Sequence, residues 1–191
     1  MIDALIEFDQ DLFLFLNELN ATWLDPIMFW ISGKKEWIPF YLLIIGFIIY
    51  RYKWKSILVL SCIAISIALA DQITSGFMKP FFERLRPSHE PILEGLIHHV
   101  NNYKGGKYGF ASSHAANSFS MAMFVWLLFR KEHRWIIWIF AWALVVSYSR
   151  IYLGVHYPGD ILVGGAIGAL SGLFSYKLFI WAEQQWFKTT S

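Results

Sequence analysis

The sequence predicts an all-α fold: an integral membrane helical bundle of five or six transmembrane helices with an amphipathic helix at its N-terminus. Three observations predict it. The chain is 57% hydrophobic and only 16% charged, where a soluble domain carries about a quarter charged residues. Its apolar residues gather in long runs, several of them near the length that crosses a bilayer. Its aromatic residues crowd beside basic ones, as in Tyr50-Arg51-Tyr52-Lys53-Trp54-Lys55, which is the pattern of a belt at a membrane–water interface.

The elements follow in order. Over residues 3–19, Asp3, Glu7 and Asp11 recur at helical spacing, as do Leu5, Phe8, Leu12 and Phe15. That pattern predicts a helix lying in the interface, which with its flanks takes up residues 1–20. Residues 21–33 are apolar but short, and Asp25-Pro26 interrupts them; a tucked-in half span fits there. Spans are expected over 37–50, 56–78, 112–129, 135–149 and 158–182. The first is short at roughly 1.5 Å of rise per residue. The last carries Gly164, Gly165, Gly168 and Gly172, a small-residue face that permits close helix packing, within the bundle or against another copy. The long connection 79–111 completes a single membrane-embedded domain over residues 1–191, and loops of such length usually carry function.

This threading puts the turns 51–55 and 130–134 and the C-terminal tail on one side. That side holds Arg51, Lys53, Lys55, Arg130, Lys131, Arg134 and Lys188, so the positive-inside rule makes it cytoplasmic. The loop 79–111 and the turn near 150–157 then face outward, toward the periplasm of a bacterial inner membrane. Other classes are excluded more simply. A net charge of +2 does not suggest a nucleic-acid partner. The lone Cys62 cannot form an internal disulfide or a thiolate metal site and reads as a small buried residue. The N-terminus shows neither the basic region nor the cleavage site of a removable signal.

Three polar clusters stand out against this apolar background: Lys79 through Arg86-Pro87, Ala111-Ser112-Ser113-His114, and Ser149-Arg150 followed by His156 and Asp160. Charges at span ends are costly and functional by default. Ser112 and Ser113 suit the N-terminus of a helix, whose free amides cradle anions, with His114 in the first turn. Taken alone, that is also how a helix cap with a neighbouring histidine looks. Pro158 suits the first turn of the last span, which sets Asp160 where it accepts the Nδ1 proton of His156 and leaves Nε2 unprotonated. That is the logic of an oriented nucleophile or base, although histidine–carboxylate pairs also occur as structural bonds. Arg150 and Arg86 offer planar forks suited to phosphate oxygens, and Lys79 adds a third cation or merely snorkels. Arg84 reads as a surface charge and is left out of the site.

Together the clusters resemble the signature of the phosphatidic acid phosphatase type 2 superfamily, which includes membrane lipid phosphatases and vanadium haloperoxidases. The family pattern is K-x6-R-P, then P-S-G-H, then S-R-x5-H-x3-D. Residues Lys79–Pro87 and Ser149–Asp160 match the first and third parts, while Ala111 and Ser113 depart from the second. The resemblance implies that His156 is the nucleophile and forms a phosphohistidine, oriented by Asp160. It implies that Lys79, Arg86 and Arg150 hold the phosphoryl oxygens, assisted by Ser112 and the amide of Ser113. It implies that His114 protonates the leaving group and then activates water.

The expected activity is hydrolysis of a lipid phosphate monoester or diphosphate, with undecaprenyl diphosphate or lipid A favoured over phosphatidylglycerol phosphate and phosphatidic acid. No metal or other cofactor is expected, because the clusters hold a single carboxylate of consequence, Asp160, where a two-metal phosphatase needs several. His98 and His99 are adjacent and point apart, so they are expected to line the loop or meet the headgroup. The rivals are a vanadate-dependent haloperoxidase, disfavoured because that branch is soluble, and a non-catalytic lipid-binding or transport protein.

Overall fold

The computed structural model describes residues 2–187. These form helices α1 (Ile2–Glu18), α2 (Asp25–Ser32), α3 (Ile38–Tyr52), α4 (Ser56–Asp71), α5 (Lys79–Phe82), α6 (Ser113–Phe129), α7 (Ile139–Tyr152) and α8 (Pro158–Phe187). Among the described residues the only strand-like pairing is an isolated bridge between Leu85 and Tyr108.

Three stretches of the described residues are long and apolar enough to cross a membrane: Ile38–Phe82, Arg134–Tyr152 and Pro158–Gln185. The first folds back on itself. Lys53 takes a positive φ of 52° at the end of α3, and a short 3-10 turn over Lys53–Lys55 leads into α4. A π-helical turn, Gln72–Met78, then carries α4 into α5, and Glu83 in the left-handed conformation stops it. Leu43, Ile57, Trp138 and Leu162 are each at least 73% exposed. Side chains of that kind on the flanks of a bundle meet lipid rather than water.

The bundle is organised around α6 and α8. Gly164, Gly168 and Gly172 sit one turn apart on α8, opposite the carbonyls of Ser112, Ala116 and Ser120 on α6. A Cβ on Gly168 would collide with the Ala116 carbonyl oxygen. The small-residue face is therefore spent inside the chain, where close backbone approach maximises dispersion contacts that lipid cannot supply. Ser66 on α4 reaches Ser120 through a buried hydroxyl–hydroxyl bond of 2.5 Å. At one end of the bundle Arg51 pairs with Glu132 at 2.7 Å and Lys55 with Glu183 at 3.1 Å. These pairs bring the turns 51–55 and 130–134 and the end of α8 to a common level; Lys188 lies outside the described residues.

One local expectation needs correction and another gains detail. The apolar stripe of α1 faces away from the bundle: Leu5 and Phe8 are each 64% exposed and Phe15 60%. Its inward face carries Asp9, Phe13 and Asn17. Asn17 is 1% exposed, donating to the carbonyls of Ile151 and Tyr152 and accepting from the amide of His98. The reason is the environment: the bundle presents unpaired helix-end carbonyls to α1, and these demand polar partners. Likewise Asp25-Pro26 begins a helix rather than breaking one, since proline suits the first turn. The Asp25 carboxylate accepts from the Tyr152 hydroxyl at 2.6 Å and pairs with His98 at 2.8 Å.

Candidate active site

The end of the bundle opposite the Arg51–Glu132 pair gathers the three clusters. The long connection folds over it instead of hanging free. The Arg86 amide donates to the Lys107 carbonyl at 3.1 Å and the Gly109 amide to the Arg84 carbonyl at 2.9 Å, so residues 84–86 and 107–109 run side by side. The Arg86 Nε donates to the Tyr108 carbonyl at 3.1 Å. Gly109 is pressed against the site: a Cβ there would stand 2.9 Å from Asp160 Oδ2, 3.1 Å from Arg86 Cγ and 3.6 Å from His156 Nδ1. One glycine thus touches the first and third clusters at once.

His156 lies in the turn between α7 and α8, 1% exposed, and Asp160 in the first turn of α8, 0% exposed. Their contact runs from Nδ1 to Oδ2 at 3.1 Å, and the Tyr157 amide donates to the same oxygen at 3.1 Å. A carboxylate only accepts, so the neutral ring carries its proton on Nδ1 and its lone pair on Nε2. Burial first, and then the charges of Arg86, Arg150, Lys79 and Arg84, hold the His156 imidazole well below the usual histidine range. The ring is therefore neutral and nucleophilic at neutral pH.

The cations surround this ring. Arg150, at the end of α7, is 2% exposed. It donates to the Ser32 hydroxyl of α2 and, through Nη2, to the Tyr103 hydroxyl at 3.1 Å. Arg86 is 8% exposed, and burial, followed by the neighbouring Arg150, lowers its pKa. Arg86 Nη1 and Arg150 Nε are buried donors with no acceptor among the described residues. A buried unpaired donor costs about 1–3 kcal/mol, more when charged, so these two N–H groups are poised for an anion. Lys79 Nζ donates to Ser113 Oγ at 2.5 Å and to Ser75 Oγ at 3.2 Å.

The second cluster sits at the start of α6. Ser112 caps the helix: its Oγ accepts from the Ala115 amide at 3.5 Å, and its own amide donates to the Asp160 carbonyl at 3.0 Å, tying α6 to α8. Ser113, standing where the family pattern has glycine, directs its hydroxyl at Lys79 and Ser75. His114 follows, within electrostatic reach of Arg150, His156, Lys34 and Arg86.

From His114 a cavity of about 700 Å³ runs into the bundle, walled by Ile44, Ile48, Ile63 and Met121. Its rim is polar, with Lys34, Asp71, Ser75 and Asn117. Asn117 Nδ2 and Ser75 Oγ each reach Asp71 Oδ1 at 3.4 Å.

The structure thus brings Lys79, Arg86, Arg150, Ser112, Ser113, His114, His156 and Asp160 to one end of the molecule. It also adds residues that pattern reading missed. Arg84, set aside as a surface charge, donates to Asp160 Oδ1 at 3.1 Å and to Asp9 Oδ2 at 2.8 Å. Ser32, Tyr103 and Lys34 carry no local signal of their roles. His98 and His99 do not enter the site: His98 pairs with Asp25, and His99 packs beside Gly154.

Comparison with known proteins identifies the family. The sequence model of the PAP2 superfamily matches residues 56–184. A lipid A 4'-phosphatase of Porphyromonas gingivalis is 39% identical over 187 residues, covering 97% of this chain and 78% of that protein. A lipid A 4'-phosphatase of Bacteroides thetaiotaomicron is 41% identical over 179 residues, covering 92% and 79%. The crystal structure of Aquifex aeolicus LpxE superimposes with a TM-score of 0.70 at 26% identity, covering 88% of this chain and 94% of that one. The chain belongs to the PAP2 superfamily and is a membrane lipid phosphatase, a phosphoric ester hydrolase.

Proposed function

We propose that the protein removes a phosphate from the sugar headgroup of a lipid A-type glycolipid, through a phosphohistidine and without a metal. The observation that carries the chemistry is the pair of unpartnered guanidinium donors, Arg86 Nη1 and Arg150 Nε, beside the His156–Asp160 pair. Fixed cations of this kind stabilise the charge that spreads over the equatorial oxygens in phosphoryl transfer. His156 Nε2 attacks phosphorus while the ester P–O bond breaks and His114 gives its proton to the departing oxygen. Lys79, Arg86 and Arg150 hold the phosphoryl oxygens, with Ser112 and the Ser113 amide. Water then attacks the phosphohistidine, His114 takes its proton, the N–P bond breaks and inorganic phosphate leaves.

Two observations support the choice of substrate. The relatives at 39% and 41% identity are named lipid A 4'-phosphatases. The cavity beside His114 pairs an apolar interior with a rim of Asp71, Ser75, Asn117 and Lys34. That rim suits a hydroxyl- and amide-bearing sugar ahead of its acyl chains, whereas a polyprenyl leaving group offers it nothing to bond beyond a second phosphate.

In this reading one domain crosses the bilayer five times, by α3, α4 with its π turn, α6, α7 and α8, while α1 lies at the interface. Lys53, Lys55, Arg130 and Lys131 at the far end support a cytoplasmic position for that end. The site then faces the periplasm of the bacterial inner membrane. Phosphate release from purified protein, in liposomes carrying a bis-phosphorylated lipid A, an undecaprenyl diphosphate or a phosphatidic acid, tests the reading. Preferred turnover of the glycolipid, undiminished by EDTA, is the expected result; preferred turnover of either other lipid overturns the substrate assignment.

A further inference from the structure

The Asp160 carboxylate is fixed from two sides. Oδ2 takes the His156 and Tyr157 donors, and Oδ1 takes Arg84 Nη1 at 3.1 Å. Arg84 is itself immobilised. Its Nη2 binds Asp9 Oδ2 at 2.8 Å, and its guanidinium lies 4.1 Å from the centre of the Tyr157 ring. Its carbonyl accepts the Gly109 amide. Asp9 does a second job, since its Oδ1 accepts the Gly159 amide at 2.7 Å in the first turn of α8. The same helix, α1, grips the other end of the His156 turn, where Asn17 binds the carbonyls of Ile151 and Tyr152.

From this we infer that Asp9 and Arg84 are positioning residues for the His156–Asp160 pair, and that the N-terminal helix is a working part of the active site. The physical need is plain. A carboxylate that is 0% exposed and held only at Oδ2, by a neutral imidazole and one backbone amide, would be freer to rotate about its Cβ–Cγ bond or to take up a proton. Either change releases the Nδ1 proton of His156 and scrambles the tautomer. The planar fork of Arg84 opposes both, because it presents one N–H to each of two carboxylates held by different helices. Lysine, a point charge on a flexible stem, cannot span the two in that geometry. The side-chain bonds of Asp9 and Arg84 run to Asp160, to each other and to the Gly159 amide, and to none of the residues proposed to hold phosphate, so their effect falls on the chemical step and not on binding.

This inference rests on the proposed roles of His156 and Asp160, and the test separates the two. Steady-state kinetics on a soluble phosphate monoester, with inhibition by inorganic phosphate, are measured for wild type, His156→Ala, Arg84→Gln, Arg84→Lys, Asp9→Asn and the double variant Asp9→Asn/Arg84→Gln. Arg84→Gln should lower kcat on the order of 10²-fold, as small displacements of reacting groups do. Its KM and its inhibition constant for phosphate should stay within about twofold. Arg84→Lys should recover little of the loss. Asp9→Asn, which keeps the side-chain shape, should give a smaller loss in the same parameter. The double variant should be no worse than Arg84→Gln alone, because the two act in series.

Multiplicative losses in the double variant overturn the inference, as does a loss that appears in KM. So does full kcat in Asp9→Asn with Arg84→Gln merely poorly folded. Activity surviving in His156→Ala would instead sink the underlying mechanism.

Discussion

His156 Nδ1 stands 3.1 Å from Asp160 Oδ2, across the first turn of α8, with both side chains sealed from solvent. That pair defines which ring nitrogen is available, and it makes His156→Ala the most severe substitution in the chain: turnover should fall to background in a phosphate-release assay. His114 should behave differently. A general acid typically contributes about 10²–10⁴-fold, and only where the departing oxygen needs a proton. His114→Ala should therefore slow a lipid substrate by that order and largely spare an aryl phosphate with a good leaving group. Equal losses on both substrates would contradict its role.

The environment of His156 has a consequence for acid stability. An unfolded histidine titrates near about 6.5, and the folded ring sits well below that, because of burial first and the surrounding cations second. The unfolded chain therefore binds the extra proton as pH falls below about 6.5 while the folded chain refuses it, so stability present above that pH is lost as the pH drops toward the folded value. Thermal melts in detergent at pH 8 and pH 5.5 should show a larger loss for wild type than for His156→Gln, whose side chain does not titrate. The same depression keeps the proposed nucleophile unprotonated in mildly acidic solution, so the acid limb of kcat/KM should lie below about pH 6.5 once the substrate's own ionisation is allowed for.

Packing of α6 on α8 gives a sharp prediction at Gly168. Its missing Cβ is what lets the Ala116 carbonyl approach. Gly168→Leu should cost about 1–3 kcal/mol or more by overpacking, visible as a lower melting temperature. Gly46, where a Cβ meets nothing within 4 Å, is the control: Gly46→Ala should leave the melt unchanged or raise it slightly.

Substrate discrimination should reside in the rim of the cavity. Asn117→Leu removes a polar group that faces Asp71 and should raise KM for a lipid A substrate while leaving KM for a polyprenyl phosphate nearly unchanged. A uniform change across both lipids would remove the rim from the account of specificity.

Orientation is testable by labelling. Gly105 has a positive φ of 66° and lies against Arg86 Nη1, so a cysteine there would disturb the site. Gly106, with open space at its Cβ position, is the better reporter. In a Cys62→Ala background, Gly106→Cys should react with an impermeant maleimide on whole spheroplasts, and a cysteine at Lys131 should react only after permeabilisation.

That the residues of the three clusters would come together was legible from sequence because the chemistry proposed for them restricts their type: a nucleophilic imidazole, its carboxylate and three cations admit few substitutes. The helical, membrane-embedded character of the chain was legible because bilayer thickness calls for long apolar runs. Arg84, Asp9 and Asn17 were not. In a soluble helix the apolar stripe marks the buried face, but in lipid apolar side chains face outward and the polar ones turn in. The amphipathic pattern of α1 therefore points the wrong way when read by the soluble rule. Ser32 and Tyr103 stay silent for another reason: their partner, Arg150, is far away in sequence, and a serine or a tyrosine in a loop is compatible with almost any neighbour. Ser113 is a halfway case. Its departure from the family pattern was visible, but that its hydroxyl engages Lys79 depended on the relative placement of α5 and α6.

The apolar-walled cavity beside His114 also governs how the reaction ends. If the proposed substrate seats its acyl chains among Ile44, Ile63 and Met121, the dephosphorylated lipid departs by sideways diffusion in two dimensions, while the inorganic ion is lost to the aqueous phase. Once separated in this way, the two products re-encounter each other only by a chance meeting across phases. Hydrolysis then runs forward without any coupled energy source.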